Sequence, residues 1–269
     1  MWPLTILLVL ASLYASVCAI AWAMQDRMLF PTNMIPPAEP LPAGAERLEI
    51  ARGADRLEGV RFPASRPPPS APVVIGFGGN AWNAQEMGDY LHLLYPQSEI
   101  VAFHYRGYAP SSGHASAEAL VADAPFVYDF ASSRFPGRPI VAVGFSIGSG
   151  VAASLAPRRP VSGLILVTPF DSLSRVAAGH FRWLPVRWLF RHDLPSGEWL
   201  RDGKVPVALI AAERDTLVTP ERTESLRGEL PNLAFDRTIA GADHNSIYQS
   251  PLFREAMGEA MEAVTAANK

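Results

Sequence analysis

Cysteine is almost absent from the sequence, since Cys18 is the only one in 269 residues. A single cysteine excludes an intramolecular disulfide and a thiolate metal cluster, and in its apolar segment a free thiol acts as a small hydrophobic group. Charge is also scarce, because charged residues make up 18% of the chain and the net charge is −3. No overall positive field is available to hold a polynucleotide, so nucleic acid is excluded as a partner.

Apolar residues, by contrast, make up 49% of the 269-residue chain. That content can fill a sizeable core and excludes a disordered or collagen-like chain. The length suits one large α/β domain or two small ones.

Residues 1–25 contain no charged side chain. A helix needs about 20 apolar residues to cross the hydrocarbon core of a bilayer, so the pattern predicts a transmembrane anchor over this range. A cleaved signal peptide is the alternative, with small-residue processing sites around residues 19–23, but the basic N-terminal region of such peptides is missing. The nearest basic residue is Arg27, after the apolar run, and the positive-inside rule then favours a cytoplasmic domain.

Prolines separate this apolar segment from the rest of the chain. They lie at positions 31, 36, 37, 40 and 42 and exclude a helix interior there. We therefore predict an extended linker over residues 26–45 and a globular domain over residues 46–269.

Short apolar runs alternate with helix-like segments through this domain. Two strand-like runs lie at 47–51 and 57–62, and five buried-strand patterns follow at 73–77, 100–103, 140–144, 164–167 and 207–210. Helices are predicted at 84–94, 117–131, 147–156, 221–229 and 253–266. Continuous apolar runs are typical of strands covered on both faces, so the pattern predicts an α/β fold with a mostly parallel sheet and helices on both sides. In such sheets ligands bind beyond the carboxyl ends of the strands.

One strand end carries the pattern Gly144-Phe145-Ser146-Ile147-Gly148. In a strand-turn-helix context this G-x-S-x-G sequence is typical of a nucleophilic serine, because the glycines permit a sharp turn that exposes the hydroxyl above the sheet. Taken alone, the pattern also fits an ordinary glycine-rich turn.

A serine hydroxyl needs a base to remove its proton and an acid to orient that base. Asp215 and His244 follow later strand-like runs, and the order Ser146, Asp215, His244 is that of the α/β-hydrolase arrangement. Alternative acids are Glu213 and Asp171, while Asp243 could instead cap the loop beside the histidine. The remaining histidines are predicted to be surface or cap residues: His92, His104, His114, His180 and His192.

The glycine-rich segment Gly76-Phe77-Gly78-Gly79-Asn80-Ala81 overlaps the end of the strand at 73–77. In the hydrolase interpretation its backbone amide at Asn80, together with that of Ile147, binds the oxyanion of a tetrahedral intermediate. The same residues also fit the G-x-G-x-x-G/A pattern of a dinucleotide-binding turn, in which Arg106 would contact a 2′-phosphate. That alternative leaves Ser146, Asp215 and His244 without a role.

The sequence resembles the α/β-hydrolase superfamily, and within it the membrane-anchored serine hydrolases of the subgroup that includes protein depalmitoylases. Four segments carry the resemblance: Gln25 to Pro31 after the anchor, Gly79-Asn80-Ala81 at the oxyanion loop, Tyr105-Arg106-Gly107-Tyr108 with Ser111, Ser112 and Gly113, and His244-Asn245. Gly78 and Ala109 depart from it, since that group usually has histidine and glycine there. The resemblance implies a carboxylic-ester or thioester hydrolase.

Residues 171–204 lie where this fold commonly inserts a cap. The segment is rich in aromatic and basic residues: Phe181, Trp183, Trp188, Phe190, Trp199, Arg175, Arg182, Arg187 and Arg191. Such a cap fits an acyl substrate with a polar or anionic head, or contact with a membrane surface, although the aromatics could equally pack the cap onto the body.

The sequence therefore predicts a membrane-anchored serine hydrolase that cleaves an acyl ester or thioester, with no metal or organic cofactor. An NADP-dependent oxidoreductase and a non-catalytic hydrolase-fold binding protein are alternatives. A peptidase fits the same catalytic residues, because pocket shape decides between esters and amides.

Overall fold

A computed structural model describes residues 2–35, 40–68 and 70–267 of the chain. It begins with helix α1, Trp2–Leu29, followed by a 3₁₀ turn at Thr32–Met34. The helix ends beyond Gln25, so the first residues assigned to the linker are helical. The predicted linker prolines Pro36 and Pro37 lie outside the described residues.

The described part of the domain is built on an eight-stranded sheet with the order β1-β2-β4-β3-β5-β6-β7-β8. The strands are β1 Glu46–Arg52, β2 Asp55–Phe62, β3 Val73–Phe77, β4 Glu99–Phe103, β5 Ile140–Phe145, β6 Gly163–Val167, β7 Val207–Ala212 and β8 Leu233–Ile239. Strands β1 and β2 form a hairpin, and β2 pairs antiparallel with β4, whereas all pairings from β4 to β8 are parallel. The predicted mostly parallel sheet is thus confirmed.

Helices cover both faces of the sheet. They are α2 Ala84–Leu94, α3 Ala117–Arg134, α4 Ile147–Ala153, α5 Leu173–His180, α6 Val186–Leu189, α7 Ser196–Leu200, α8 Pro220–Glu229 and α9 Pro251–Ala266. Alternate strand residues face opposite sides. On one side Ile75 packs in a core with residues of α3, α4 and α8, and on the other Val74 packs in a core with residues of α2 and α9. The central strands are buried throughout, which explains their continuous apolar sequence.

Three short helices, α5, α6 and α7, lie between β6 and β7, within the predicted cap at residues 171–204. Asp193 holds the start of α5: it accepts hydrogen bonds from Ser172 Oγ at 2.9 Å and from the backbone N–H of Ser174 at 2.8 Å. The carboxylate satisfies one of the N–H groups that have no acceptor within the helix. These bonds therefore join the later part of the cap segment to its start.

Candidate active site

Ser146 lies between the end of β5 and the start of α4, with φ +51° and ψ −120°. Positive φ is uncommon outside glycine, so the turn holds this residue in a strained conformation. The flanking glycines are required by close approach: a Cβ at Gly148 would lie 2.1 Å from the carbonyl oxygen of Phe77, and one at Gly144 would lie 2.3 Å from that of Gly148. The turn thereby directs the serine hydroxyl away from the sheet.

Three predicted residues come together above the sheet. His244 Nε2 lies 2.9 Å from Ser146 Oγ, and His244 Nδ1 lies 2.7 Å from Asp215 Oδ2. The other oxygen of Asp215 accepts hydrogen bonds from the backbone N–H groups of Leu217 at 2.9 Å and Val218 at 2.8 Å. Because these bonds fix the carboxylate, only Oδ2 is left to orient the imidazole.

The alternative acids lie elsewhere. Asp171 Oδ2 accepts hydrogen bonds from Arg175 and Arg222 at 2.8 and 3.1 Å. Glu213 accepts a hydrogen bond from the backbone N–H of Gly241 at 2.7 Å. Asp243 caps the loop after it, accepting from the N–H groups of Asn245 and Ser246 at 3.0 and 2.9 Å.

The glycine-rich loop after β3 lies directly against Ser146. A Cβ at Gly79 would lie 3.8 Å from the Ser146 Cβ. Asn80 and Ile147, whose backbone amides were predicted to bind an oxyanion, line the same cavity as Ser146. Ile147 is the first residue of α4, so the helix itself offers its N–H no acceptor.

Two tyrosines hold this loop in place, and sequence reasoning assigned them no role. Tyr105 donates a hydrogen bond to the Gly78 carbonyl and Tyr108 donates one to the Asn80 carbonyl, both at 2.9 Å. Burial raises the pKa of both phenols, so they stay protonated donors at neutral pH. The peptide units on either side of the Asn80 N–H are therefore fixed. The available signal was the Tyr105-Arg106-Gly107-Tyr108 motif.

Arg106, proposed as a phosphate ligand in the dinucleotide interpretation, is engaged in ion pairs. Its guanidinium donates to Asp123, with Nε at 3.1 Å, and lies 3.6 Å from Asp55. These carboxylates neutralise the charge that a 2′-phosphate would need.

The prediction of surface or cap positions was wrong for His104. This histidine is 4% exposed and lies directly after the end of β4. Burial, followed by the charge of Arg47, lowers the pKa of His104 to about 4. His104 directly follows the apolar strand β4 and is buried like that strand. The local sequence does not distinguish this buried position from one in an exposed loop.

A cavity of about 270 Å³ opens beside Ser146. It is lined mainly by apolar residues of the cap, such as Val176, Phe181 and Leu184, and by the last turns of α1. No carboxylate lines it within the described residues. The contribution of α1 was not predicted, because the sequence pattern treats this segment as anchor and linker only.

Within residues 2–35, 40–68 and 70–267, no group of three or more His, Cys, Asp or Glu side chains is placed to hold a metal ion.

Comparisons with known proteins agree with this architecture. Residues 68–198 match the family model described as serine aminopeptidase, S33. The chain is 32% identical over 250 residues to an uncharacterised protein of Mycobacterium tuberculosis, covering 90% of this chain and 88% of that protein. It is 28% identical to the lysophosphatidylserine lipase ABHD12 of Danio rerio, covering 83% of this chain but 65% of the lipase.

Solved structures share the fold. The esterase Pf2001 of Pyrococcus furiosus superimposes with a TM-score of 0.65 at 17% identity, covering 85% of this chain and 96% of that one. A proline iminopeptidase of Mycobacterium smegmatis superimposes with a TM-score of 0.66 at 14% identity, and the match covers 83% of this chain and 100% of the iminopeptidase chain.

The fold and the serine-bearing turn define an α/β-hydrolase, as predicted. The chain belongs to the α/β-hydrolase superfamily and is a serine hydrolase. Its place in the narrower subgroup that includes depalmitoylases stays a prediction.

Proposed function

We propose that Ser146, His244 and Asp215 form a catalytic triad that hydrolyses a carboxylic ester or thioester of an acyl lipid at a membrane. The observation that carries the proposal is the continuous chain of hydrogen bonds from Asp215 through His244 to Ser146, with lengths of 2.7 and 2.9 Å. This chain lies beside a cavity that is lined mainly by apolar residues.

The geometry supports a two-stage reaction. Ser146 Oγ attacks the carbonyl carbon while His244 Nε2 takes the hydroxyl proton, and Asp215 stabilises the resulting imidazolium. The tetrahedral intermediate collapses as the bond to the leaving group breaks, and His244 donates the proton to that group. Water then attacks the acyl-serine, again losing its proton to His244, which returns it to Ser146 as the carboxylic acid departs.

The amides of Asn80 and Ile147 are proposed to bind the negative oxygen of each tetrahedral intermediate. Both residues lie at the cavity wall next to Ser146. Donors fixed before the reaction stabilise charge without reorganising, and the hydrogen bonds of Tyr105 and Tyr108 supply that rigidity to the Asn80 side.

An acyl lipid suits the cavity better than a peptide does. A peptidase that recognises a free amino terminus needs a negative group to pair with the ammonium, and no carboxylate lies among the described lining residues. The apolar lining suits a hydrocarbon chain instead. The name of the ABHD12 relatives, lysophosphatidylserine lipase, supports a lipid ester as the first substrate to test.

Helix α1 is proposed to anchor the enzyme in a membrane, with the catalytic domain on the cytoplasmic side. The segment Trp2–Met34 contains an 18-residue stretch with a mean hydropathy of 2.4, and its helix is long and apolar enough to cross a bilayer. The hydrogen bond from Tyr14 to the Trp183 carbonyl of the cap favours a retained helix over a cleaved signal peptide, because cleavage near residues 19–23 would remove Tyr14 and cut through the part of α1 that lines the cavity.

Active-site labelling tests the proposal. A fluorophosphonate is expected to label the purified wild-type protein and not the Ser146→Ala variant. Ser149→Ala is the matched control: Ser149 lies one turn along α4 and bonds the Ser146 carbonyl instead of His244, so labelling should persist. Equal labelling of wild type and Ser146→Ala would overturn the triad.

A substrate screen then decides the chemistry. p-Nitrophenyl esters of graded chain length, acyl-CoA thioesters and lysophosphatidylserine are compared on the unlabelled wild-type enzyme, with a peptide p-nitroanilide as the amide. The proposal expects turnover of acyl esters or thioesters; cleavage of the anilide alone would overturn it. Thermal stabilisation by NADPH would favour the oxidoreductase alternative.

A further inference from the structure

The end of helix α1 is built into the cap. The side chain of Gln25 is nearly buried and makes two hydrogen bonds to cap backbone: its Nε2 donates to the Leu189 carbonyl at 2.8 Å, and its Oε1 accepts from the Arg191 N–H at 3.0 Å. A buried amide whose two ends are both satisfied specifies one docking position, because any shift would leave a polar group unpaired.

Ion pairs one residue further on strengthen the same junction. Asp26 Oδ1 lies 2.9 Å from Arg191 Nη2 and 2.7 Å from His192 Nε2. The other oxygen of Asp26 lies 3.2 Å from His114 Nε2, on the body of the domain. These contacts hold the end of α1 against both the cap and the body of the domain.

One face of α1 lines the cavity beside Ser146. The lining residues of this helix are Ala21, Trp22, Gln25, Met28 and Leu29, which recur at the spacing of a single helical face. Val176, Ala177 and Phe181 of the cap line the same cavity. The space next to the catalytic serine is therefore bounded on one side by the membrane helix itself.

The cap extends along α1 towards the membrane. The Tyr14 hydroxyl donates a hydrogen bond to the Trp183 carbonyl at 2.8 Å. Tyr14 lies about 16 Å along the helix axis from Gln25, at roughly 1.5 Å per residue, and so falls within the apolar stretch. Trp183 and Trp188 are 57% and 75% exposed at this tip, and such aromatic side chains favour a lipid interface.

We infer that the acyl chain of a membrane lipid enters sideways from the bilayer and binds between α1 and the cap, so that α1 sets the chain length the enzyme accepts. The inference rests on the proposed function, because it requires Ser146 to be the nucleophile. It makes the anchor part of the substrate site, with Ala21 and Trp22 as specificity-determining residues. A chain drawn from the leaflet in this way never leaves an apolar environment, which removes the cost of exposing it to water.

Two alanines on α1 give a matched test in the full-length enzyme. Ala21 lines the cavity, whereas Ala23 is exposed and lies away from it. We expect Ala21→Phe to lower the ratio of kcat/KM for hexadecanoyl to that for butanoyl p-nitrophenyl ester by about tenfold or more, because the added ring occupies space needed by the long chain. Ala23→Phe is expected to leave this ratio at its wild-type value. Trp22→Ala, which widens the site, should move the optimum to longer chains.

A second measurement needs no cavity variant. A long-chain alkyl fluorophosphonate with a diazirine near the end of its chain is attached to the wild-type protein in lipid nanodiscs and irradiated. Crosslinks to the peptide containing residues 21–29 are expected, in addition to the cap. Crosslinks to the cap or body alone would overturn the inference, as would equal chain-length profiles for Ala21→Phe and Ala23→Phe.

The two proposals fail in different ways. A wild-type enzyme that the fluorophosphonate does not label at Ser146 overturns the proposed function. An enzyme that is active before labelling and is labelled at Ser146, but shows no α1 crosslink, overturns only the role of the helix.

Discussion

At the scale of single residues, the site depends on groups that are fixed before substrate arrives. Ser146 is held at φ +51° by glycines on either side, and Asp215 is fixed by two backbone N–H groups. Neither arrangement stabilises the fold in an obvious way, since the first is strained and the second buries a carboxylate. Both position atoms for proton transfer, which is what a serine nucleophile requires.

Asp215→Asn tests the orientation of the histidine. The side-chain oxygen of the Asn would still accept hydrogen bonds from the backbone N–H groups of Leu217 and Val218. The NH₂ group of the Asn would therefore face His244 Nδ1. The imidazole would then carry its proton on Nε2 and be unable to accept one from Ser146. We expect kcat to fall by about 10⁴-fold with an unchanged Tm. A loss smaller than tenfold in steady-state ester hydrolysis would contradict the assignment of Asp215.

Tyr105→Phe tests the support of the oxyanion loop. The change removes the donor to the Gly78 carbonyl, and a buried acceptor left unpaired costs about 1–2 kcal/mol. We expect kcat to fall by roughly five- to tenfold at nearly constant KM, because the loop acts on the transition state. Tyr95→Phe is the control: its hydroxyl bonds the Met257 carbonyl at 2.9 Å in the buried core, so the variant should lose stability while keeping kcat.

Buried His104 predicts a pH dependence of stability. Its folded pKa of about 4 lies below the usual value near 6.5, so the unfolded chain binds the proton more tightly and stability is lost as pH falls from about 6.5 towards 4. Between pH 7 and pH 5 this residue should cost about 2 kcal/mol, or roughly 5 °C in Tm. His104→Gln should reduce the difference in Tm between the two pH values by that amount. An unchanged difference would contradict the buried neutral histidine.

At the scale of elements, close contact between β3 and α4 sets the position of the oxyanion loop. Gly148 permits it, since a Cβ there would meet the backbone oxygens of Phe77 at 2.1 Å and Gly78 at 2.5 Å. The side chain that is missing at this position is thus as important to the site as those that are present.

Gly148→Ala should therefore push α4 and the oxyanion loop apart. We expect ester hydrolysis to fall about 100-fold, the loss typical of removing one oxyanion donor, together with a lower Tm. Gly258→Ala is the matched control, because Gly258 lies in the exposed middle of α9 with nothing within 4 Å of its added Cβ. That variant should gain about 0.5–1 kcal/mol of stability and keep wild-type activity. Equal activity in the two variants would contradict the packing argument.

The elements also show which local patterns were informative. The central strands were predicted within one or two residues of their observed bounds, because strands covered on both faces need unbroken apolar sequence. Helices α5, α6 and α7 were not predicted individually. Each is of eight residues or fewer, and their positions depend on contacts with the body and with α1.

At the scale of the whole molecule, anchor and domain form one continuous structure. Gln25 and Asp26 join α1 to the cap by hydrogen bonds and ion pairs. If α1 spans a membrane as proposed, this rigid attachment would hold the mouth of the cavity at a constant distance from the bilayer, which a flexible linker would not do.

The side of the membrane stays a prediction that rests on the basic residue nearest the apolar run. Arg27 lies after it, and the positive-inside rule favours a cytoplasmic catalytic domain. In sealed vesicles of known orientation, we expect added protease to degrade the domain only when the cytoplasmic face is outside. Degradation from the opposite face alone would reverse the assignment, and release of the protein by alkaline carbonate would exclude a spanning helix.

The sequence by itself determined the features that depend on local pattern: the apolar α1, the alternation of strands and helices, and the G-x-S-x-G turn with later acid and histidine. Each of these results from periodicity or turn chemistry over a few residues.

Only the tertiary structure decided which acid faces His244, how the two tyrosines hold the oxyanion loop, and that α1 closes the cavity. Asp215 and Asp171 both follow buried strands, and the distance of 2.7 Å to Nδ1 is what distinguishes them. Such contacts join residues far apart in the chain, as Gln25 and Leu189 are. No local pattern encodes them, because they arise when separate elements pack against one another.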